Sequence, residues 1–534
     1  MRAARHSTEV AIAGAGIAGV AAAIEALNRG RRVILVDRDP EENLGGQAKE
    51  AFGGLWFAGT PLQRRRGITD GPELGFADWL SFGELGPDHA WPRAWAQAYV
   101  ERGVPDVHDW LVAMGIRFMP MPMWVERGLD VPGNSVPRFH LVWGTGRALS
   151  DCLVGRLLAH PRRDLLELKF GHRVDALVTR GGRVAGLAGV TEPGDEPFEI
   201  ASESVVIAAG GISGDIERVR RHWHADWGTP PAVILNGSHR FADGRLHDAA
   251  ERAGANVTHL DWQWNYAAGI RHWRPRKPGH GLSLIPPKSA LWLNARGERI
   301  GPAPLVSGFD TRDLVARVCR EPGGYSWQLL NRKIALRELA VSGSEFNPSI
   351  REQKRLAFAR DLLFGNRWLV DELTRNSEDI VQAATLPELV ERMNALTGEG
   401  LVQPDAVESA VTRYDAQIRR GERFHNDEQL RRIAALRRWP GDRVRTCAFQ
   451  PILDRRAGPL MAIREHVISR KSLGGIQTDL ACRVLGADGC AIEGLFAAGE
   501  AAGFGGGGMN GKRGLEGTFL GGCLYSGRIA GKAA

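Results

Sequence analysis

Glu9-Val10-Ala11-Ile12-Ala13-Gly14-Ala15-Gly16-Ile17-Ala18-Gly19 and, after an alanine-rich stretch closed by Gly30, Arg32-Val33-Ile34-Leu35-Val36-Asp37 are the residues on which the fold turns. The short apolar run ending in glycine reads as a buried strand, the segment to Asn28 as a helix, and the second apolar run as another strand. Together they make a β-α-β unit of about 30 residues. Within it Gly14, Gly16 and Gly19 form a G-x-G-x-x-G triplet: a tight turn, a close approach of backbone to a pyrophosphate, and a helix packed hard on its strand. The first helical turn at Ile17 and Ala18 offers free N–H groups and a favourable dipole. Such a triplet alone is a weak signal, and its place between a strand and a helix gives it weight. Asp37, with Arg38 beside it, ends the second strand, where an acid accepts hydrogen bonds from ribose hydroxyls and disfavours a 2′-phosphate.

A nicotinamide dinucleotide domain needs no second nucleotide-facing segment several hundred residues away, and this chain has one. Gly494-Leu495-Phe496-Ala497-Ala498-Gly499-Glu500 reads as a strand ending in Gly-Glu. After the glycines of 505–511, Gly517-Thr518-Phe519-Leu520-Gly521-Gly522 opens a final helix whose N-terminus suits the negative charge of a reduced flavin. Glycines that serve only tight packing are the alternative reading. The expected dinucleotide is FAD.

Between the two ends, 74–114 has helical spacing and 168–190 reads as a hairpin around Arg180-Gly181-Gly182, with Val174 counted among the cofactor residues. The run 204–211 reads as a buried strand closing on Ala209 and Gly210. Residues 266–299, rich in Pro, Arg, Trp and His without a period, read as loops that line something. Helical patterning fills 332–438, with the arginine-rich 419–438 as a solvated face, and strand alternation is expected after Trp439-Pro440-Gly441. The fold class that follows is α/β: a two-segment, Rossmann-like FAD-binding domain of the glutathione reductase type (1–264 and 441–534) with an inserted α+β capping and substrate domain (265–440).

Composition narrows the class without naming a function. The 534 residues are 43% hydrophobic and 25% charged, as in ordinary globular chains. The net charge of +7 is spread along the chain rather than gathered in a stripe, so nucleic acid is not implied. Six scattered cysteines show no metal spacing and read as buried, reduced thiols; no metal is expected. The polar stretch before Val10 leaves no room for a secretory apolar segment, and no apolar run of about 18 residues follows, which predicts no transmembrane segment and a cytoplasmic location.

On these motifs the chain resembles the flavoprotein superfamily of succinate dehydrogenase, fumarate reductase and 3-ketosteroid Δ1-dehydrogenase, closest to its branch called FAD-binding dehydrogenases. The resemblance covers nearly the whole chain. It also rests on Leu44-Gly45-Gly46-Gln47 as the flavin-side loop, on Gly144-Thr145-Gly146 before a helix, on the stretch from Leu293 to Arg299, which is similar to L-N-x-x-G-E-R-F, and on Leu473-Gly474-Gly475-Ile476-Gln477-Thr478-Asp479. Thr311-Arg312-Asp313-Leu314-Val315-Ala316-Arg317 is similar to the segment that carries the proton-donating arginine of fumarate reductases, which makes Arg312 the first catalytic candidate; an ordinary surface Arg-Asp pair is the alternative. Where the family binds a dicarboxylate through histidines, this chain has Asn265 or Tyr266 and, further on, Arg470, and the terminal arginine has only a shifted counterpart in Arg513. Fumarate and succinate are therefore not expected. No histidine stands beside Gly45 and Gly46, which implies non-covalent FAD.

Ketosteroid dehydrogenases use tyrosines, and by that resemblance Tyr266 and Tyr325 are the middle-region candidates, Tyr325 in a flexible, cap-like context. Trp264, with Trp262, Trp273 and Trp292, suggests an apolar or ring-shaped substrate. The implied chemistry is α,β-dehydrogenation of a carbonyl compound or its reverse, acting on CH–CH bonds by hydride transfer to or from flavin N5, with a small-molecule substrate and an electron acceptor that the sequence does not identify. An oxidase of alcohols or amines and an electron-transfer subunit without its own substrate are the competing readings.

Overall fold

The structure, a computed structural model, describes residues 3–534; Met1 and Arg2, the start of the polar N-terminus, lie outside them. The described chain forms two compact units: residues up to His222 with Ser238–Trp264 and Lys471–Ala534, and Trp223–Gly237 with Asn265–Arg470. The return to the first unit falls after Arg470 rather than at the expected 441. The reason is local, since 440–459 holds one short helix and irregular chain instead of strand, and the strand Leu460–Ser472 joins the second unit's sheet through most of its length.

In the first unit the expected β-α-β is Ala4–Ala13, Ile17–Asn28 and Val33–Val36. The strand starts earlier than its apolar run because residues 4–8 pair in parallel with the strand Pro197–Ile207. The sheet order is Arg483–Leu485, Ala491–Ala497, Pro197–Ile207, Ala4–Ala13, Val33–Val36, Leu166–Lys169, with the hairpin His172–Arg180/Arg183–Thr191 on Pro197–Ile207. Register matters most here. Ala13 pairs with Val36 and Ile207, and Ile207 with Ala497, all in parallel. The carboxyl ends of four parallel strands are thus flush, and the chain leaves them through Gly14, Asp37, Ala208-Ala209-Gly210 and Ala498-Gly499. Ligands of open parallel sheets bind at such an edge.

The second unit is built on a largely antiparallel sheet in the order Leu291–Leu293, Tyr325–Asn331, Leu460–Ser472, Gln263–Arg271, Gly281–Ile285, Ala340–Val341. The expectation that 266–299 forms loops is corrected, because three of these strands lie there. Their residues are buried on both faces, which erases the alternation that marks a half-exposed strand. Helices follow as expected, and their apolar residues recur at three and four spacing: Leu369, Val370 and Leu373; Leu389, Val390 and Met393; Val407, Val411 and Tyr414; Leu430 and Ile433. The helix Arg355–Phe364 is the exception, with Leu356, Leu363 and Phe364 exposed. Cys482 is buried as expected, but Cys490 is exposed, in the turn before Ala491–Ala497.

Candidate functional site

The three glycines of the first turn differ in what surrounds them. A Cβ on Gly14, whose φ is +106°, would overlap the Ala208 carbonyl, and one on Gly19 would overlap the Gly14 carbonyl. A Cβ on Gly16 would meet nothing within 4 Å. Gly14 and Gly19 therefore serve chain packing, while Gly16 faces open space at the start of a helix whose first turn includes Ile17, Ala18 and Gly19 and carries no side-chain cap. Asp37 accepts from the Ala15 N–H (2.5 Å) and the Asp39 N–H (2.8 Å). Burial raises the affinity of its carboxyl for a proton, and the two N–H bonds oppose this.

Gly45 and Gly46 lie against this turn: the Gly45 N–H donates to Ala15 O (2.8 Å), and both residues have positive φ. Gln47 follows in the turn Gly46–Glu50. Gly144, Thr145 and Gly146 open the helix Thr145–Leu158 with two left-handed residues, and the Gly146 N–H donates to Ala51 O (3.0 Å). Gly517 (φ +98°) does the same for Thr518–Ala533, with its carbonyl accepting from the Trp56 N–H (3.0 Å). Thr518 and Phe519 are buried, Leu520 is half-buried, and neither of these two helix starts has a side-chain cap. A buried helix N-terminus normally has its N–H groups satisfied, so three without caps in one unit fit a bound dinucleotide. Gly499, packed on Ala18, donates its N–H to Ser526 Oγ (2.9 Å), and Glu500 accepts from the Ser472 N–H (2.9 Å).

The remaining cofactor candidates are placed less simply. Ala209 and Gly210 follow the central strand, Gly210 at φ +78°. Val174 is buried in the hairpin. Arg38 is committed to Glu192 (2.7 and 3.0 Å) and Asp243 (3.2 Å) and stacks on Phe241. Two further groups escape any reading of the sequence. Ser150 Oγ lies beneath Gly45, and the Asn510 amide lies in the glycine-rich loop; both are fully buried without a protein partner. A serine one turn into a helix and an asparagine among glycines carry no spacing signal that could have found them.

In the second unit Arg312 occupies the first turn of Thr311–Arg320. Asp310 caps that helix by accepting from the Asp313 N–H, an arrangement worth about 1 kcal/mol. The guanidinium is buried; it donates to Asp226 Oδ2 (3.0 Å) and His224 Nδ1 (3.1 Å) and lies 5.2 Å from the Trp227 ring. His224 Nδ1 also accepts from the Asp226 N–H (3.1 Å), which leaves its ring proton on Nε2. His224, Asp226 and Trp227 lie about 90 residues before Arg312, and no motif linked them to it. Arg470 donates to Gly237 O (2.7 Å), and its charge sits 5.9 Å from the Tyr266 ring.

Tyr325 is not in a flexible cap. It begins the strand Tyr325–Asn331, buried opposite His466, and its hydroxyl donates to Glu399 Oε2 (3.3 Å). Burial, then the Glu399 charge, pushes this phenol up to about 12. In the first unit the Trp264 indole donates to Glu516 (3.2 Å) beside Phe519, and Arg513 pairs with Glu84 (3.0 Å). Trp262, Trp264 and Trp292 are all core side chains of their units, the commoner role of tryptophan. Among the described residues no group of His, Cys, Asp and Glu could hold a metal ion, and no helix is long and apolar enough to cross a membrane.

A KsdD-like steroid dehydrogenase of Mycobacterium tuberculosis is 42% identical over 549 aligned residues, covering 99% of this chain and 96% of the relative. The fumarate reductase (cytochrome) of Shewanella frigidimarina is 25% identical, covering 99% of this chain and 77% of its own. The solved structure of 3-ketosteroid-Δ4-(5α)-dehydrogenase from Rhodococcus jostii RHA1 superposes with a TM-score of 0.63 at 22% identity over 100% of this chain and 99% of that one, a likeness of fold. The family described as FAD binding domain matches residues 9–520, so both glycine-lined ends fall inside one family pattern, and the chain belongs to that family as an FAD-dependent dehydrogenase.

Proposed function

We propose that this protein catalyses α,β-dehydrogenation of a cyclic ketone of the 3-ketosteroid class, or the reverse reduction of the enone. The observation that carries the proposal is the 42% identity, over 99% of the chain, to KsdD-like steroid dehydrogenases. FAD, when bound, supplies a two-electron hydride acceptor at N5. The chain's part is to hold and to polarise. The open face at Gly16 and the helix starts at Ile17 and Thr518 would bind the pyrophosphate and the pyrimidine edge of the flavin, with Asp37 on the ribose and no covalent link. Arg312, held by His224 and Asp226, is a fixed cation suited to the enolate-like oxygen that develops as the α-proton leaves. Tyr266, with Arg470 over its ring, is the phenol suited to donate to the ketone.

Cytoplasmic residence belongs to the same reading, supported by six cysteines that form no disulfide among the described residues. A second reading, a flavoprotein that hands electrons to a partner without a substrate of its own, is favoured by the exposed Leu356, Leu363 and Phe364. Anaerobic titration of the purified yellow protein separates them. Saturated 3-ketosteroids are expected to bleach the flavin and appear as the enone. Bleaching by alcohols or amines alone would reassign the enzyme to oxidase chemistry, and no bleaching by any carbonyl compound would favour the electron-transfer reading.

A further inference from the structure

In the second unit the strand Tyr325–Asn331 lies between Leu291–Leu293 and Leu460–Ser472, with Gln328 opposite Trp292 and Ser326 opposite Glu465. Opposed residues of an antiparallel pair share a face, as do alternate residues along a strand. Trp292, Gln328, Ser326 and Glu465 therefore form one staggered row, two adjoining opposed pairs on the same face of three strands, while Trp327, Arg464 and His466 point to the other face. All four residues of the row are 2% exposed or less. Trp292 Nε1, both amide atoms of Gln328, Ser326 Oγ and both carboxyl oxygens of Glu465 have no protein hydrogen-bond partner, and none of the four bonds to another.

A single buried orphan of this kind costs about 1–3 kcal/mol, and folded interiors leave few of them. Six on one face of a packed sheet call for a ligand that satisfies them. Its chemistry follows from the inventory. The indole and the amide NH2 donate, the Gln328 carbonyl and the carboxyl carbonyl accept, and the hydroxyl does both. An anion would serve only the donors and a metal ion only the acceptors; water serves both. We propose that this row walls an internal pocket that binds ordered water, with Glu465 as the acid within it. The row shares no residue with the groups assigned to FAD or with Arg312 and its partners, and the proposal does not depend on the steroid reading. Burial with no cation at hand drives the Glu465 carboxyl far above its usual range, so it stands there as COOH, its proton able to exchange through the bound water.

Infrared difference spectra of the holoprotein test this. Wild type minus Glu465→Gln at neutral pH is expected to show one protonated-carboxyl band that shifts in deuterated buffer under native conditions. Ser326→Ala, which removes one water partner and keeps the fold's apolar packing, is expected to move that band without abolishing it. A difference spectrum showing an ionised carboxylate, a band that resists deuterium in the native state, or a band that Ser326→Ala leaves unmoved would each overturn the proposal. If Glu465→Gln does not fold, deuterium sensitivity and the Ser326→Ala shift in otherwise wild-type protein decide the same question.

Discussion

The carboxyl edge of the parallel sheet in the first unit and the Arg312 region of the second work through different parts of the chain. At the sheet edge, where FAD is proposed to bind, the groups on offer are backbone N–H groups, and side chains are mostly excluded: Gly14, Gly45, Gly146 and Gly517 sit where a Cβ would collide, and Gly16 faces open space. Around Arg312 the atoms belong to side chains, gathered from His224, Asp226 and Trp227. A backbone site writes itself into the sequence as glycines at fixed spacing. A side-chain site assembled from distant segments leaves no local mark.

The sharpest way to break this contrast is at the glycines themselves. Gly19→Val forces a branched side chain into the Gly14 carbonyl and is expected to cost more than about 4 kcal/mol, seen as loss of folded protein. A Cβ at position 16 meets nothing within 4 Å, so the Gly16→Val apoprotein should melt within about 1 kcal/mol of wild type in chemical denaturation. Its FAD dissociation constant should nevertheless rise at least about 100-fold, roughly 2.7 kcal/mol, by fluorescence titration. Unchanged FAD affinity in Gly16→Val would mean that the pyrophosphate lies elsewhere, and the distinction between packing glycine and ligand glycine would fall.

The second unit has its own severe position, and its basis is charge. Asp379 is fully buried and accepts from the Arg271 N–H (2.8 Å), Arg271 Nη1 (2.8 Å) and Arg464 Nε and Nη2 (3.0 and 2.8 Å). Burial alone would raise its carboxyl, but His466, the Arg271 N–H and Arg464 overrule it and hold the value to about 2. Asp379→Asn takes the counter-charge from Arg464 and leaves Arg271 only Glu378 (3.5 Å), and it is expected to destabilise by about 3–5 kcal/mol. The sign with pH follows from the depressed value. The stabilisation is complete above the ordinary carboxylate range and is lost as pH falls towards about 2. Urea melts of wild type and variant should therefore converge in strong acid and stay apart at neutral pH.

These two sites also show how far the sequence could be read. The β-α-β unit, the hairpin, the terminal helix and the FAD assignment were all legible, because strand, glycine turn and helix follow one another within about 30 residues and each imposes a local steric demand. The strands of 263–293 were not, since burial on both faces removed the period-two alternation. The end of the inserted region was misread by about 30 residues: Trp439-Pro440-Gly441 does interrupt the helices, but nothing in the sequence tells whether the strand beginning at Leu460 joins one sheet or another. Arg312 could be picked out by resemblance alone, whereas its partners His224 and Asp226 could not.

A smaller effect tests whether Arg312 is more than a buried ion pair. Arg312→Lys keeps the charge but replaces the planar guanidinium, whose Nη2 serves both Asp226 and His224, by a compact ammonium on a different stem. If the guanidinium holds developing negative charge, kcat/KM for the ketosteroid should fall by about 100-fold, near 2.7 kcal/mol, with flavin content unchanged. A purely structural pair would instead show a lowered melting temperature with kcat/KM close to wild type.

The smallest expected effect separates the two tyrosines that sequence alone left equal. Tyr325 lies in a core strand with its hydroxyl given to Glu399, and a phenol pushed up to about 12 by burial and that carboxylate neither ionises near neutrality nor has its proton free for a ketone. Tyr325→Phe should cost about 0.5–1.5 kcal/mol of stability from the lost hydrogen bond and leave kcat/KM within about threefold. Tyr266 stands beside Arg470, where a cation on the ring face favours the charge that builds on a phenol as it donates. Tyr266→Phe should lower kcat with little change in KM, the pattern of an interaction made only in the transition state. The reverse result, activity lost in Tyr325→Phe and kept in Tyr266→Phe, would require the strand Tyr325–Asn331 to open during turnover, because the closed strand gives that hydroxyl no other use.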